Sequence, residues 1–363
     1  MNSRRIHAHT TTEENPQADG SINQIEPAHG YIEASDFTAE DLVLGGWMLH
    51  PNKEMSSLRL YVNGACAGPV DLELRADVAK VFSWIPHAAQ SGFHIRRHLS
   101  PSGYPPQGRI DLVGYSGEQP IARLSSLYRT DLDSVVPAPP PTLMNRVAHT
   151  QDRRFFKTWG LKCYGDMRSF FCRYAAFDRT DKLLDWGCGC GRLTIHFLME
   201  TAGPAVYGCD VDGEAIAWCD AKLASGHFTA IEPFPPTSYA DASFQLVAGY
   251  SVFTHLTKET QVAWLTEIRR ILAPGGIFVA TVHGDFAASL AFPGKVTSVL
   301  SAGIHDGVHD DSLDGIVPKG YYRGTFQTEE YTRREWSKYF DILEYQVRGI
   351  GNHQDAVVMR RPA

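Results

Sequence analysis

The stretch "LLDWGCGCGRLTIHF", residues 183–197, places three glycines and two cysteines in five consecutive positions between two apolar runs. The run before it is strand-like and the run after it has helical character. Glycine lacks a Cβ and tolerates positive φ, so a glycine-rich passage from strand to helix lets a ligand approach the backbone closely. A tight turn with no ligand would use the same glycines. Cys188 and Cys190 have one residue between them, whereas zinc and dithiol motifs need two or more. No second Cys/His pair stands at a matching distance, so no metal is expected. The dinucleotide fingerprint G-x-G-x-x-G needs glycine at position 192, which is Arg192 here. Asp185, at the end of the strand, would repel a pyrophosphate and hold a cation.

Outward from this loop the chain alternates strand and helix. Strand-like "KLLDW" precedes helical "RLTIHFLMETA", "AVYGCD" precedes "GEAIAWCDAKL", and "FQLVAGY" precedes "KETQVAWLTEIRRIL". In the last of these, Val262, Leu265, Ile268 and Leu272 recur at helical spacing. "APGG" is expected to stop that helix before strand "IFVATVH". Two further helical stretches, near residues 143–159 and 163–177, come first. Repeated strand–helix units predict a mostly parallel sheet with helices on both faces. Ligands of such sheets bind beyond the carboxyl ends of the strands. The chemistry is therefore expected just after Trp186, Cys209, Tyr250 and His283.

Asp185, Trp186, Gly187, Cys188, Gly189, Cys190 and Gly191 together resemble the first motif of the class I S-adenosylmethionine-dependent methyltransferases. The resemblance implies a seven-stranded Rossmann-like sheet and S-adenosylmethionine as cofactor. Gly187, Gly189 and Gly191 would make room for its methionine part, and Asp185 would face its ammonium. "VYGCDVD" puts Asp210 and Val211 at the end of the next strand, Asp210 being 19 residues after Gly191. A carboxylate at about that distance accepts both ribose hydroxyls. Asp212 is the better placed of the two acids to cap the following helix. "PFPPTSYADASFQLVAGYSVFTHL" resembles the family's passage through its fourth strand, with Gln245 where an Asp is usual. Asp241 is the candidate adenine-contacting acid, and the backbone about Tyr250 the candidate contact for the methionine end. "FDILEYQVRGIGNHQDAVVMRRP" resembles the family's final antiparallel pair of strands. The resemblance spans residues 164–361.

The N-terminal part reads differently. Residues 1–30 are polar and aperiodic, as in a flexible tail, and lack the apolar stretch of a secretory signal. Residues 31–134 hold short alternating runs divided by Gly, Pro, Asn and Asp, with Asn63 and Gly64 as a hairpin turn. They predict a small β-sandwich. "VVPAPPPT", residues 135–142, is a proline-rich linker to a methyltransferase domain over residues 143–363. The formal charge is −7, and the arginine pairs are scattered among acids, so no nucleic-acid partner is expected. No window has the ~18 apolar residues of a membrane span. Seven cysteines without a signal sequence suggest a reducing, cytoplasmic setting.

A hydroxyl acceptor needs a base, and histidine suits neutral pH. His283 ends the fifth strand and is the preferred base; His255, in "SVFTHL", is the second candidate, or else a residue that orders its loop. The long connection after Gly284 has the length of a lid. His305, Asp306, His309, Asp310 and Asp311 within it are ligand types for a divalent ion, though acidic glycine-rich loops are commonly just solvated. Small β-domains of this look accompany glycan-modifying enzymes. The expected acceptor is therefore a sugar or glycan hydroxyl, with another small metabolite, a protein, or cofactor binding without catalysis as alternatives. A homo-oligomer or a glycan-assembly partner would meet the β-sandwich.

Overall fold

The computed structural model describes residues 22–37, 41–98, 105–200 and 203–363. Most of the expected tail, residues 1–21, lies outside them. Within the rest of that tail, residues 22–24 form a 3-10 turn, and the first strand already starts at His29.

The N-terminal sandwich holds β1 (His29–Phe37), β2 (Asp41–Leu49), β3 (Ser57–Val62), β4 (Ala65–Val70), β5 (Glu73–Leu74), α1 (Ala76–Val81), β6 (Gln90–His98), β7 (Gln107–Ser116) and β8 (Gln119–Arg129). One sheet has the order β1-β2-β6-β5 and the other β4-β3-β7-β8. Asn63 and Gly64 join β3 to β4 with φ of 49° and 81°, as a tight hairpin of matching twist requires. The period-2 pattern of β2 sends Leu42, Leu44 and Met48 inward against Leu58, Leu60, Phe93 and Leu112.

A short helix, α2 (Leu132–Val135), occupies the start of the proline segment, and α3 (Pro141–Ala148) begins on its last proline. Proline suits a first helical position, where its missing N–H costs nothing. Only residues 136–140 connect the two. The two helices expected over 143–159 and 163–177 are divided elsewhere. His149 takes φ of 48° and ends α3, and Asp152 caps α4 (Arg153–Tyr174), accepting from the amides of Arg154 and Phe155. That helix then runs unbroken through Gly160, where a Cβ would meet the Arg192 carbonyl at 2.6 Å.

The C-terminal part contains β9 (Lys182–Trp186), α5 (Thr194–Leu198), β10 (Ala205–Asp210), α6 (Gly213–Lys222), β11 (His227–Ala230), β12 (Phe244–Gly249), α7 (Lys258–Ile271) and β13 (Leu272–Val282). It continues with α8 (Asp285–Ala291), α9 (Val296–Val299), β14 (Ile304–His309), β15 (Arg323–Gln327), α10 (Glu329–Trp336), β16 (Asp341–Ile350) and β17 (Gln354–Arg360). Seven strands form one sheet of order β11-β10-β9-β12-β13-β17-β16. It is parallel except that β17 runs antiparallel between β13 and β16. This is the predicted Rossmann-like sheet. "APGG" does not precede its strand but lies inside it, because β13 starts at Leu272 directly after α7. Leu183, Phe171 and Phe197 fill one face, and Trp186, Trp264 and Phe278 the other. The strand order reverses between β9 and β12, where a crevice opens at the carboxyl ends.

The sandwich docks beside that crevice. The Asn352 amide, in the turn between β16 and β17, donates to the carbonyl of Ala28 at 2.8 Å and to that of Gly30. The Arg348 guanidinium donates to the carbonyls of Pro27, at 3.0 Å, and Ala28. Phe286 of α8 inserts among Trp47, Phe82 and Ile85 of the sandwich.

Candidate active site

The carboxyl ends of β9, β10, β12 and β13 open into a cavity of about 310 Å³. Gly187 and Gly189 turn the backbone at its floor with φ of 74° and 52°. A Cβ on Gly187 would lie 2.3 Å from Val252 Cγ2, and one on Gly189 would lie 2.7 Å from Val147 Cγ2. Both positions therefore require glycine twice over, by conformation and by space. Asp185 is buried; its Oδ2 accepts from Thr194 Oγ1 at 2.6 Å. Asp210 Oδ2 accepts from the Gly189 amide at 2.7 Å, and its Oδ1 from the Asp212 amide at 2.9 Å. Burial pushes both carboxyls up to about 6, against these hydrogen bonds. Two acids so raised, Asp185 buried and Asp210 partly buried, are stabilised by a ligand that brings a cation or hydroxyl donors. Arg192 extends its guanidinium over the Tyr250 ring, 5.0 Å from the centroid, and its buried Nε has no partner.

Helix α3 closes this end. Arg146 Nη1 donates to Asp212 at 3.0 Å and to Glu214 at 2.8 Å, which draws Val147, Ala148 and His149 over the loop. Asp212 also caps α6, accepting from the Glu214 and Ala215 amides. Ile231, Trp264 and Tyr321 form the far wall, and Trp264 Nε1 donates to the Tyr321 hydroxyl at 3.2 Å.

Three imidazoles line the other end: His255, His283 and His353. His255 stacks on Tyr322 with ring centroids 4.1 Å apart and planes 7° from parallel. Its Nδ1 lies 3.4 Å from Asp310 Oδ2. Burial works to raise the Asp310 carboxyl, yet the adjacent His255 imidazole and the hydrogen bonds from the Ser312 hydroxyl and amide hold it well below the usual range. His283 follows directly on β13, and its carbonyl accepts from the Gln327 amide at 2.9 Å. Its ring lies 6.2 Å from that of His255 and 5.6 Å from that of His353. Burial, then those two neighbours, hold His283 well below 6.5, and its buried Nδ1 has no partner. Burial alone brings His353 down to about 4. Gln354 Nε2 donates to Ser251 Oγ at 2.9 Å, which ties β17 to the end of β12.

A family model described as a methyltransferase domain matches residues 183–276. Residues 183–276 are a class I methyltransferase domain. An uncharacterized methyltransferase of Schizosaccharomyces pombe is 26% identical over 125 residues, 32% of this chain and 44% of that protein. The match thus spans less than half the length of that curated relative. A SAM-dependent methyltransferase from Methanosarcina mazei superposes with TM-score 0.41 at 17% identity, covering 53% of this chain and 96% of that one. The 1,6-didemethyltoxoflavin-N1-methyltransferase of Burkholderia thailandensis, solved with 1,6-didemethyltoxoflavin and S-adenosylhomocysteine, superposes with TM-score 0.42 at 16% identity. That match covers 63% of this chain and 93% of the other.

Asp185, Trp186, Gly187, Cys188, Gly189, Asp210, Val211, Tyr250, His255 and His283 come together around one cavity. Two expected residues stand apart. Gly191, with φ of 75°, lies behind the loop, where a Cβ would meet Leu223 Cδ1 at 2.5 Å; its role is in packing on α6. Asp241 is 78% exposed and pairs with Arg270 at 2.7 Å, because its turn faces α7 and not the cavity. Sequence reasoning also missed Arg146 to His149, since α3 reads as an ordinary helix and its place over the loop is a tertiary fact. Among the described residues no group of three or more His, Cys, Asp or Glu is arranged to hold a metal ion. Asp306 accepts from the Lys258 amide at 2.9 Å, and Asp310 faces His255.

Proposed function

We propose that this chain methylates a hydroxyl of a small, polar acceptor, a sugar unit being the leading class, with S-adenosylmethionine as cofactor. The cofactor's class supplies an electrophilic methyl on a sulfonium. The glycine loop gives room for its methionine part, and Asp185 and Asp210 offer charge and acceptor atoms to its ammonium and ribose hydroxyls. The observation that carries the acceptor reading is the His255–Asp310 pair at the opposite end of the cavity. A general base needs an orienting partner and a protonated form that its surroundings accept. Asp310, with its carboxylate 3.4 Å from Nδ1 of His255, is the acid placed to orient that ring. His283, held far below neutral by burial, is a weaker base, and among the described residues no acid pairs with it. We therefore assign the proton-accepting role to His255 and a wall role to His283, the reverse of the sequence ranking.

The polar wall of His353, Gln354, Ser251 and Tyr322 suits a hydroxylated acceptor. Among the described residues no helix is long and apolar enough to cross a membrane. All seven cysteines are free thiols, which supports a reducing, cytoplasmic setting. The test is transfer from methyl-labelled S-adenosylmethionine to a panel of monosaccharides, with His255→Ala as the control. Labelled O-methyl sugar from the wild type and not from the variant supports the reading; equal labelling by both removes His255 as base.

A further inference from the structure

One side chain that lines the cavity is held from the sandwich. The Tyr31 hydroxyl, on β1 of the sandwich, lies 2.5 Å from Nδ1 of His353, whose ring lines the cavity. The Tyr31 ring is held edge-on to Trp47, at 5.6 Å between centroids, and tilted against Trp159 at 6.2 Å. The partner turn is fixed just as firmly, because Asn352 and Arg348 donate four hydrogen bonds to the carbonyls of Pro27, Ala28 and Gly30. The phenol and the imidazole thus meet across a rigid joint between the two domains.

We infer that Tyr31 is a positioning residue of the acceptor site: its phenol donates to Nδ1 of His353 and so holds that ring with the proton on Nε2, as a hydrogen-bond donor to the cavity. The direction of the bond follows from the proton inventory. Among the described residues the Tyr31 hydroxyl has no second hydrogen-bond partner. Were Nδ1–H the donor, the phenol proton would be left buried without an acceptor, which is costly. With the phenol donating, both groups are satisfied and the neutral imidazole has one tautomer. A ligand held there must present a lone pair, as a sugar hydroxyl or ring oxygen does and a cationic amine does not. The sandwich then acts in acceptor recognition through one hydroxyl, whatever else it meets. This inference rests on the reading of the cavity as a methyl-acceptor site.

The test uses the full-length protein with 15N-labelled histidine and long-range proton–nitrogen correlation, His353 being identified by the loss of its signals in His353→Gln. In the wild type, Nε2 of His353 is expected to carry the proton and Nδ1 to be bare. Tyr31→Phe keeps the ring among Trp47 and Trp159 and removes only the hydroxyl; it should shift His353 to a mixture of both tautomers. Protonated Nδ1 in the wild type, or an unchanged pattern in Tyr31→Phe, would overturn the inference. In turnover on the monosaccharide panel, Tyr31→Phe should raise KM for the methylated sugar at least threefold and leave kcat and S-adenosylhomocysteine affinity within about twofold. An unchanged KM would overturn the recognition role. If the wild type methylates nothing in the panel, the sugar reading fails, and the tautomer measurement still decides the role of Tyr31.

Discussion

His255 Nδ1 lies 3.4 Å from Asp310 Oδ2, at the junction between the end of β12 and the insert that follows β13. Residues 55 positions apart in the chain meet there because the insert is tied down: Thr325 Oγ1 donates to the Leu256 carbonyl at 2.9 Å, and Gln261 Nε2 to Gln327 Oε1 at 2.9 Å. The insert thus behaves as a built wall beside His255.

His255→Ala should lower methyl transfer by ~10²–10⁴-fold, the usual contribution of general acid–base catalysis. Affinity for S-adenosylhomocysteine should stay within about twofold, since His255 stands at the other end of the cavity. Asp310→Asn should lower turnover in the same direction by a smaller factor. His283→Ala should cost less than His255→Ala. Steady-state rates of the three variants check this, and a larger loss for His283→Ala would restore the sequence ranking.

Cofactor affinity should depend on pH through Asp185 and Asp210. An unperturbed aspartate titrates near ~3.9, and burial raises both of these to about 6. Between those values the folded empty state holds more protons than the unfolded one, so these acids reduce its stability as pH rises through that window. A ligand that donates to them favours their ionised forms. Titration of S-adenosylhomocysteine should therefore show affinity rising from pH 5 to about 7 and then levelling, with proton release near pH 6. A flat profile would mean that neither acid changes its protonation on binding.

Asn352→Ala should destabilise the whole chain by ~1–3 kcal/mol, because it removes two buried hydrogen bonds, to the carbonyls of Ala28 and Gly30, from the joint between the domains. Thermal unfolding should move to lower temperature as one transition if the docked domains unfold together. Two separated transitions in the wild type would show that the joint contributes little.

The alternating pattern around residues 183–283 made the parallel sheet legible, and with it the rim where Asp185, Asp210 and His283 stand. Those features repeat locally, on the scale of one strand and one turn. Helix boundaries were less legible: only the αL residue His149 and the Asp152 cap separate α3 from α4, and neither shows in hydrophobic spacing. Asp241 read as a cavity acid because its loop lies at the right place in the chain; Arg270, 29 positions later, decides where its carboxylate points. The Tyr31–His353 contact joins residues 322 positions apart and left no trace in either local pattern. What escaped was tertiary in each case, set by which surface met which.

The most direct test of the central claim is isothermal titration of S-adenosylhomocysteine into the wild type and Asp210→Ala at neutral pH. The account predicts one saturable site in the wild type and an affinity weaker by ~1.5–3 kcal/mol in the variant, the scale of hydrogen bonds to a charged group. No binding by the folded wild type, or equal affinity in the two proteins, would contradict it.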